Sequence, residues 1–245
     1  MDFPEIPLSS VPMVGRAQMT EVDRLAESMV GLGLIQMMEN AGRALAEVVI
    51  SELAGSARGS VPGRVTVLAG TGGNGGGAMV AARHLANRGC SVEVHLSRPP
   101  RVGGVTDHQR TILEAMGMAV AARAPERADA DVIVDGVIGY SLVGSPSGPA
   151  ADLIAWASDR EAEGTTVVAL DVPSGIDTDT GETPGLHVNA SATLTLALPK
   201  TGMRSSSAVG RLHLADISVP AAVYQRMGLD VPVLFDRGQI LRLIP

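Results

Sequence analysis

The sequence holds one cysteine, Cys90, so neither a disulfide framework nor a cysteine metal cluster can be built from it. Aromatic residues are also scarce, at 2% of the chain: Phe3, Tyr140, Trp156, Tyr224 and Phe235. That is too few for the stacking platforms that grip single-stranded nucleic acid. Net positive charge is lacking too: the formal charge is −7, which argues against a general nucleic-acid binder. No apolar run is long enough to span a bilayer. The opening MDFPEIPLSS has neither the basic n-region nor the apolar h-region of a secretion signal. The expectation is therefore a cytoplasmic protein with no membrane and no nucleic-acid partner. Lysine is nearly absent: Lys200 is the single lysine among 19 basic residues. Arginine cannot be tuned to lose its proton and lysine can, so Lys200 marks either a chemical need for an ammonium or a residue kept by chance.

What is present is small and apolar. Hydrophobic residues make up 45% of the 245 and charged residues 18%, the composition of a globular chain with a large core. Residues 1–18 read as an irregular arm. Thr20 and Asp23 form a capping-box pattern, with Val22, Leu25, Ala26 and Met29 following at helical spacing. A second helix is expected from Leu34, with Met37 and Met38 as core filler in its apolar stripe. This helix pair over 20–54 could form an interface or pack on its own sheet.

Beyond it, strands and helices alternate. RVTVLA (64–69) reads as a buried strand, 70–77 as a glycine loop and 78–88 as a helix. A strand at 91–96 follows, then a helix opened by a Thr106/Gln109 capping box. DVIVDGVI (131–138) is the next strand, with Asp131 facing water at its start. Ser147-Gly148-Pro149 opens a helix through Trp156, and TTVVALD (165–171) is a fourth strand. ATLTLAL (192–198) and RLHLADI (211–217) are later strands with little room for helices between them. The pattern implies an α/β, Rossmann-like three-layer sandwich with a mostly parallel central sheet, as one domain over 1–245.

In such a sheet the ligand lies beyond the carboxyl ends of the strands. GTGGNGGG (70–77) suits an anion cradle, because glycine lets backbone approach closely and a helix N-terminus follows. It is no Walker loop, since no Gly-Lys-Ser/Thr follows. A nucleotide-type ligand is the expectation. Asn74 either caps the helix or offers its amide oxygen to a cation. Asp135 ends an apolar strand, where a carboxylate needs a partner or a ligand. Asp171 and Ser174 stand on a tight turn after another, and Ser174 lacks the flanks of a hydrolase elbow. Asp177 and Asp179 read as turn residues, and His84 as structural. The literal G-x-G-x-x-G at Gly70, Gly72 and Gly75 allows an ordinary dehydrogenase. The end of the second strand, Leu96-Ser97-Arg98, would admit only a version that reads a ribose 2′-phosphate.

Taken together, QMTEVDRLA, IQMMENAGRALA, VLAGTGGNGGGAMVAARHL, DVIVDGVIGYSL, ALDVPSGIDTDTG and LALPKTG resemble the NAD(P)H-hydrate epimerase family, in order and in spacing, from about Met19 to Val219. The resemblance implies a Rossmann-like, homodimeric isomerase that interconverts the C6 epimers of hydrated NADH or NADPH. It also implies a separate dehydratase acting on the product, and no appended kinase-like dehydratase domain is expected. It implies a potassium ion held by Asn74, Asp135 and Ser174. Substrate would lie along Gly73, Asn74, Gly75, Gly76 and Gly77 and along Gly139, Tyr140, Ser141, Leu142, Val143, Gly144 and Ser145. Asp171 would stand at the reacting ring, the candidate catalytic acid and base, with Lys200 either stabilising developing charge or tuning Asp171. The sequence departs from the family pattern where that loop carries an asparagine, here Gly73, and an aspartate, here Gly77. Gly139-Tyr140-Ser141-Leu142 replaces the usual Gly-Thr-Gly-Leu. The alternative is an inactive relative that binds a nucleotide-type ligand or a partner protein.

Overall fold

The computed structural model describes residues 3–55, 62–126 and 129–245, so the first two residues of the expected arm lie outside the described residues. The strands are β1 (Glu5–Pro7), β2 (Arg64–Ala69), β3 (Ser91–Leu96), β4 (Val120–Ala121), β5 (Val132–Gly136), β6 (Thr166–Leu170), β7 (Ala192–Leu196), β8 (Arg211–Ala215) and β9 (Ile240–Ile244). They form one sheet in the order β1-β9-β8-β7-β6-β5-β2-β3-β4. Neighbours run parallel except β8 and β9. The helices are α1 (Arg16–Val30), α2 (Leu34–Gly55), α3 (Gly73–Asn87), α4 (Val105–Ala115), α5 (Gly148–Ala162) and α6 (Ala221–Arg226).

Alternation along each strand sends side chains to opposite faces. Val67, Val134 and Val168 pack with Leu45 and Val49 of α2 and Met79 of α3. Leu68, Ile133 and Val167 pack on the other side with Leu153, Ile154 and Ala157 of α5. The result is the expected three-layer sandwich, and burial on both faces is why these strands read as continuous apolar runs. Of the two outcomes open for α2, its apolar stripe packs on α3 and the sheet.

Several boundaries differ from the sequence reading. The arm is not irregular throughout: Glu5–Pro7 pairs with β9, and α1 begins at Arg16. Its N-cap is Gly15, whose N–H donates to Gln18 Oε1 (3.0 Å), and the Arg16 N–H donates to Asp179 Oδ1 (2.7 Å). Thr20 is therefore inside the helix and donates to the Arg16 carbonyl instead of capping (3.0 Å). α4 is preceded by Gly104, and the Thr106 hydroxyl sits within reach of the carbonyls of Thr71 (3.0 Å) and Gly72 (3.2 Å), tying α4 to the glycine segment. Ser147 does occupy the N-cap position of α5, with no cap hydrogen bond from its side chain. Asp131 does not simply face water: its side chain is 9% exposed and pairs with the Arg64 guanidinium (3.0 Å) and N–H (2.9 Å).

The largest difference is at the glycine run. Its second half is not loop: α3 starts at Gly73, so Gly73–Gly77 form its first turns. Glycine is a poor helix former, and packing overrides that here. A Cβ on Gly75 would lie 1.9 Å from the Gly70 carbonyl oxygen, and one on Gly42 would lie 2.4 Å from Val80 Cβ. Without side chains at these places α3 seats directly on the end of β2 and against α2.

Candidate active site

The sheet order reverses direction between β2 and β5, because the chain leaves β2 toward β3 and returns to β5 on the other side. The carboxyl ends of the strands flanking that reversal open into a cleft of about 580 Å³. Gly70–Asn74 and Gly77 form one side, Val137–Ser141 another, and Asp171 faces in from the end of β6.

Asp171 is the first residue past β6 and has a left-handed backbone, φ 67°. Aspartate tolerates that region better than most side chains. The turn places its carboxylate under the cleft while its own N–H remains bonded to the Leu194 carbonyl (2.7 Å). One carboxylate oxygen is paired with the Lys200 ammonium, and the other accepts the Tyr140 N–H (3.1 Å). Lys200 is fully buried, and its remaining partners are the Leu196 carbonyl (2.9 Å) and Thr195 Oγ1 (3.2 Å). The single lysine is thus committed to one carboxylate, in a position where water cannot screen either charge.

Asp135 and Ser174 lie beneath this floor, both at 0% exposure. Asp135 Oδ1 accepts the Ser174 hydroxyl (2.6 Å) and the Val137 N–H (3.2 Å), and Oδ2 accepts the Ser174 N–H (2.8 Å). Burial pushes the Asp135 carboxyl up, against the lowering pull of the Ser174 hydrogen bonds. These partners are all neutral. Asn74 does not cap α3, whose N-cap is Gly72; its amide oxygen and nitrogen are both buried and have no hydrogen-bond partner among the described residues. A Cβ on Gly139 would lie 3.1 Å from both the Asn74 amide carbon and Asp171 Oδ2, so the amide and the carboxylate flank the same bare stretch of backbone.

Of the other residues the sequence pointed to, Gly73, Gly139, Tyr140 and Ser141 line the cleft. Gly75 and Gly76 lie behind it, packed on the Gly70 backbone and on Met38. Leu142 to Ser145 run away from the cleft wall. The Leu142 carbonyl accepts Arg16 (2.6 Å), Val143 and Gly144 are exposed, and the Ser145 hydroxyl donates to the Pro184 carbonyl (2.7 Å). Asp177 is a turn residue as expected, its Oδ1 accepting the N–H groups of Asp179 and Thr180 (2.9 Å each). His84 is held by Glu39 (2.8 Å). Met37 and Met38 are core filler and cleft wall at once.

The sequence reading missed one carboxylate of the cleft. Asp23, taken for part of a cap, faces the cleft from α1 and accepts the Tyr140 hydroxyl (2.6 Å). Its signal was present in QMTEVDRLA, but helical periodicity alone does not show which partner a polar residue on the buried side will meet.

Comparison with known proteins agrees with this geometry. The family model for the YjeF-related protein N-terminus matches residues 34–202. The chain is 50% identical to an NAD(P)H-hydrate epimerase of Dehalogenimonas lykanthroporepellens, over 92% of this chain and 90% of that one. It is 32% identical to an NAD(P)H-hydrate epimerase of Rhodopirellula baltica, over 94% and 93%. A bifunctional NAD(P)H-hydrate repair enzyme of Hyperthermus butylicus is 40% identical over 80% of this chain, which spans only 37% of that relative's length. The crystal structure of the yeast protein ynu0 shares the fold at a TM-score of 0.82 and 23% identity, over 95% of this chain and 100% of that one. The family match over most of the chain, together with the cleft and its buried charges, shows that the chain belongs to the NAD(P)H-hydrate epimerase family.

Proposed function

We propose that this chain interconverts the C6 epimers of hydrated NADH or NADPH, as a cytoplasmic homodimer assisted by potassium and followed by a separate dehydratase. The observation that carries the reading is the buried Asp171–Lys200 pair, opening on a cleft at the reversal of the sheet. The relatives named as epimerases at 50% and 32% identity support it over nearly their whole length. The bifunctional relative's name supports a dehydratase as the next step.

The C6 hydroxyl of the hydrate adjoins the ring nitrogen. Losing that hydroxyl leaves a flat carbon that water can attack from either face. Asp171 would move protons there, a contribution of roughly 10²–10⁴-fold. Lys200 fixes its position and balances its charge. The backbone of Gly70–Asn74 and the N-terminus of α3 would receive the anionic part of the nucleotide.

The donor set fits a potassium ion. Asn74, Asp135 and Ser174 are hard oxygen ligands; the Asn74 amide has no partner, and Asp135 has no cationic one among its contacts. A bound cation would supply the positive charge this buried carboxylate lacks and hold the two cleft loops together. A second reading, a binding protein without turnover, draws on Gly73 and Gly77, where the family pattern has side chains.

A separated single epimer of hydrated NADH, followed for appearance of the other with and without potassium, distinguishes the two. Protein-dependent conversion that is lost in Asp171→Asn is expected. Conversion at the spontaneous rate only, by folded protein that binds the ligand, would sink the epimerase reading and leave the binding one.

A further inference from the structure

We propose that Asp23 is a second catalytic carboxyl of this cleft, dividing proton transfer at C6 with Asp171. This rests on the epimerase reading above and adds to it a group on a different element. The geometry is built on one tyrosine. The Tyr140 backbone N–H donates to Asp171 (3.1 Å), and its side-chain hydroxyl donates to Asp23 (2.6 Å). The two carboxyls are therefore held apart by the span of a tyrosine side chain, and both face the cleft. Inverting a hydroxyl at a ring carbon means that oxygen leaves from one face and arrives at the other. A single carboxyl would have to serve both faces; two separated ones need not move.

Their surroundings differ in the way a donor and an acceptor require. Asp171 is ion-paired with Lys200. Among the described residues Asp23 has no such partner at contact distance: the charged and titratable groups facing it are Tyr140, Asp171 and Lys200 from the cleft and Tyr224 from α6, which packs on α1. Burial pushes the Asp23 carboxyl up, the Tyr140 hydrogen bond partly opposes this, and the nearby Asp171 charge adds to it. Asp23 is thus the member suited to carry a proton into the reaction.

In the first half-reaction the ring-nitrogen lone pair forms the C6–N double bond and the C6–O bond breaks. The departing oxygen keeps the bonding electrons, takes the proton of Asp23 and leaves as water. In the second half a water adds to the opposite face of C6. Its oxygen lone pair makes the new C6–O bond, the double-bond electrons return to nitrogen, and its proton goes to Asp171. One proton has then moved from Asp23 to Asp171, and exchange with solvent resets the pair. The reverse epimerisation runs with the roles exchanged.

The test uses the full chain and separated epimers of hydrated NADH, with the spontaneous rate subtracted. Asp23→Asn keeps an acceptor for Tyr140, so the fold and KM should hold while kcat falls by about 10²-fold or more. The alkaline limb of the kcat profile, due to loss of the Asp23 proton, should disappear in that variant. Tyr140→Phe removes a hydrogen bond that lowers the Asp23 carboxyl, so the same limb should move to higher pH, which a merely structural contact would not produce. Glu21→Gln, a neighbour on α1 paired with Arg24 at the helix surface, should leave kcat unchanged. Wild-type kcat with its alkaline limb in Asp23→Asn, or an unmoved limb in Tyr140→Phe, would overturn the assignment while leaving the epimerase reading intact. Absence of any protein-dependent epimerisation in the wild type would remove both.

Discussion

Lys200 and Asp171 form a buried ion pair at the inner end of the cleft, the lysine side chain at 0% and the aspartate at 5% exposure. Removing one member of such a pair leaves an uncompensated buried charge, which costs about 3–5 kcal/mol. Lys200→Met should therefore lower stability by that amount in urea unfolding. Lys200→Arg should not rescue it, because a planar guanidinium cannot reproduce an ammonium that meets Asp171, Thr195 and Leu196 in a closed space.

The glycines of the 70–77 segment should separate by position and not by type. Gly75→Ala would put a Cβ 1.9 Å from the Gly70 carbonyl oxygen, and Gly70→Ala one 2.0 Å from the Val137 carbonyl oxygen. Both obstacles are backbone, so both variants should unfold at markedly lower temperature. A Cβ on Gly73 meets nothing closer than 3.9 Å, and the residue is helical. Gly73→Ala should be neutral or gain about 0.4–1 kcal/mol. Gly77 is intermediate: its Cβ would press Leu170 Cδ2 at 3.0 Å, so Gly77→Ala should cost less than Gly75→Ala, the obstacle being the end of a side chain.

Potassium should raise the unfolding temperature of the wild type, and sodium should do so less. Asn74→Ala deletes a buried amide that has no hydrogen-bond partner among the described residues. Leaving such a group unsatisfied costs about 1–3 kcal/mol. In potassium-free buffer the variant should therefore be at least as stable as the wild type, and it should show no potassium increment. An undiminished increment in Asn74→Ala, measured by scanning calorimetry, would remove Asn74 from the ion site.

His213 provides a pH test. Burial on β8, edge-on to Phe3 with ring centroids 5.3 Å apart, lowers its imidazole to about 4. The unfolded chain then binds a proton that the folded chain does not, so stability is full above the ordinary value near 6.5 and declines as pH falls toward about 4. His213→Leu should flatten that part of the stability profile, as chemical unfolding over a pH series would show. The arm carrying Phe3 should be the segment that gains hydrogen exchange first in acid.

The strands were legible because both faces of the sheet are covered, which leaves runs such as 132–134 and 167–170 apolar. The segments bearing Asn74, Asp135, Asp171 and Ser174 were legible because each breaks an apolar or glycine run at a strand end. The start of α3 was not, because local propensity makes a glycine run a loop and only its seat on Gly70 and α2 makes it a helix. The caps at Thr20 and Thr106 misled for a related reason: a hydroxyl at helical spacing bonds whichever carbonyl lies within reach. For Thr106 that is the glycine segment.

By itself, then, the sequence determined the layer order, the family resemblance and the residues that had to find a partner, since periodicity and unpaired polar groups are properties of the chain alone. The tertiary structure decided who those partners are. Lys200 meets Asp171 across 29 residues, and Tyr140 meets Asp23 across 117. Pairings at that separation follow from sheet order and helix placement, which no local pattern encodes.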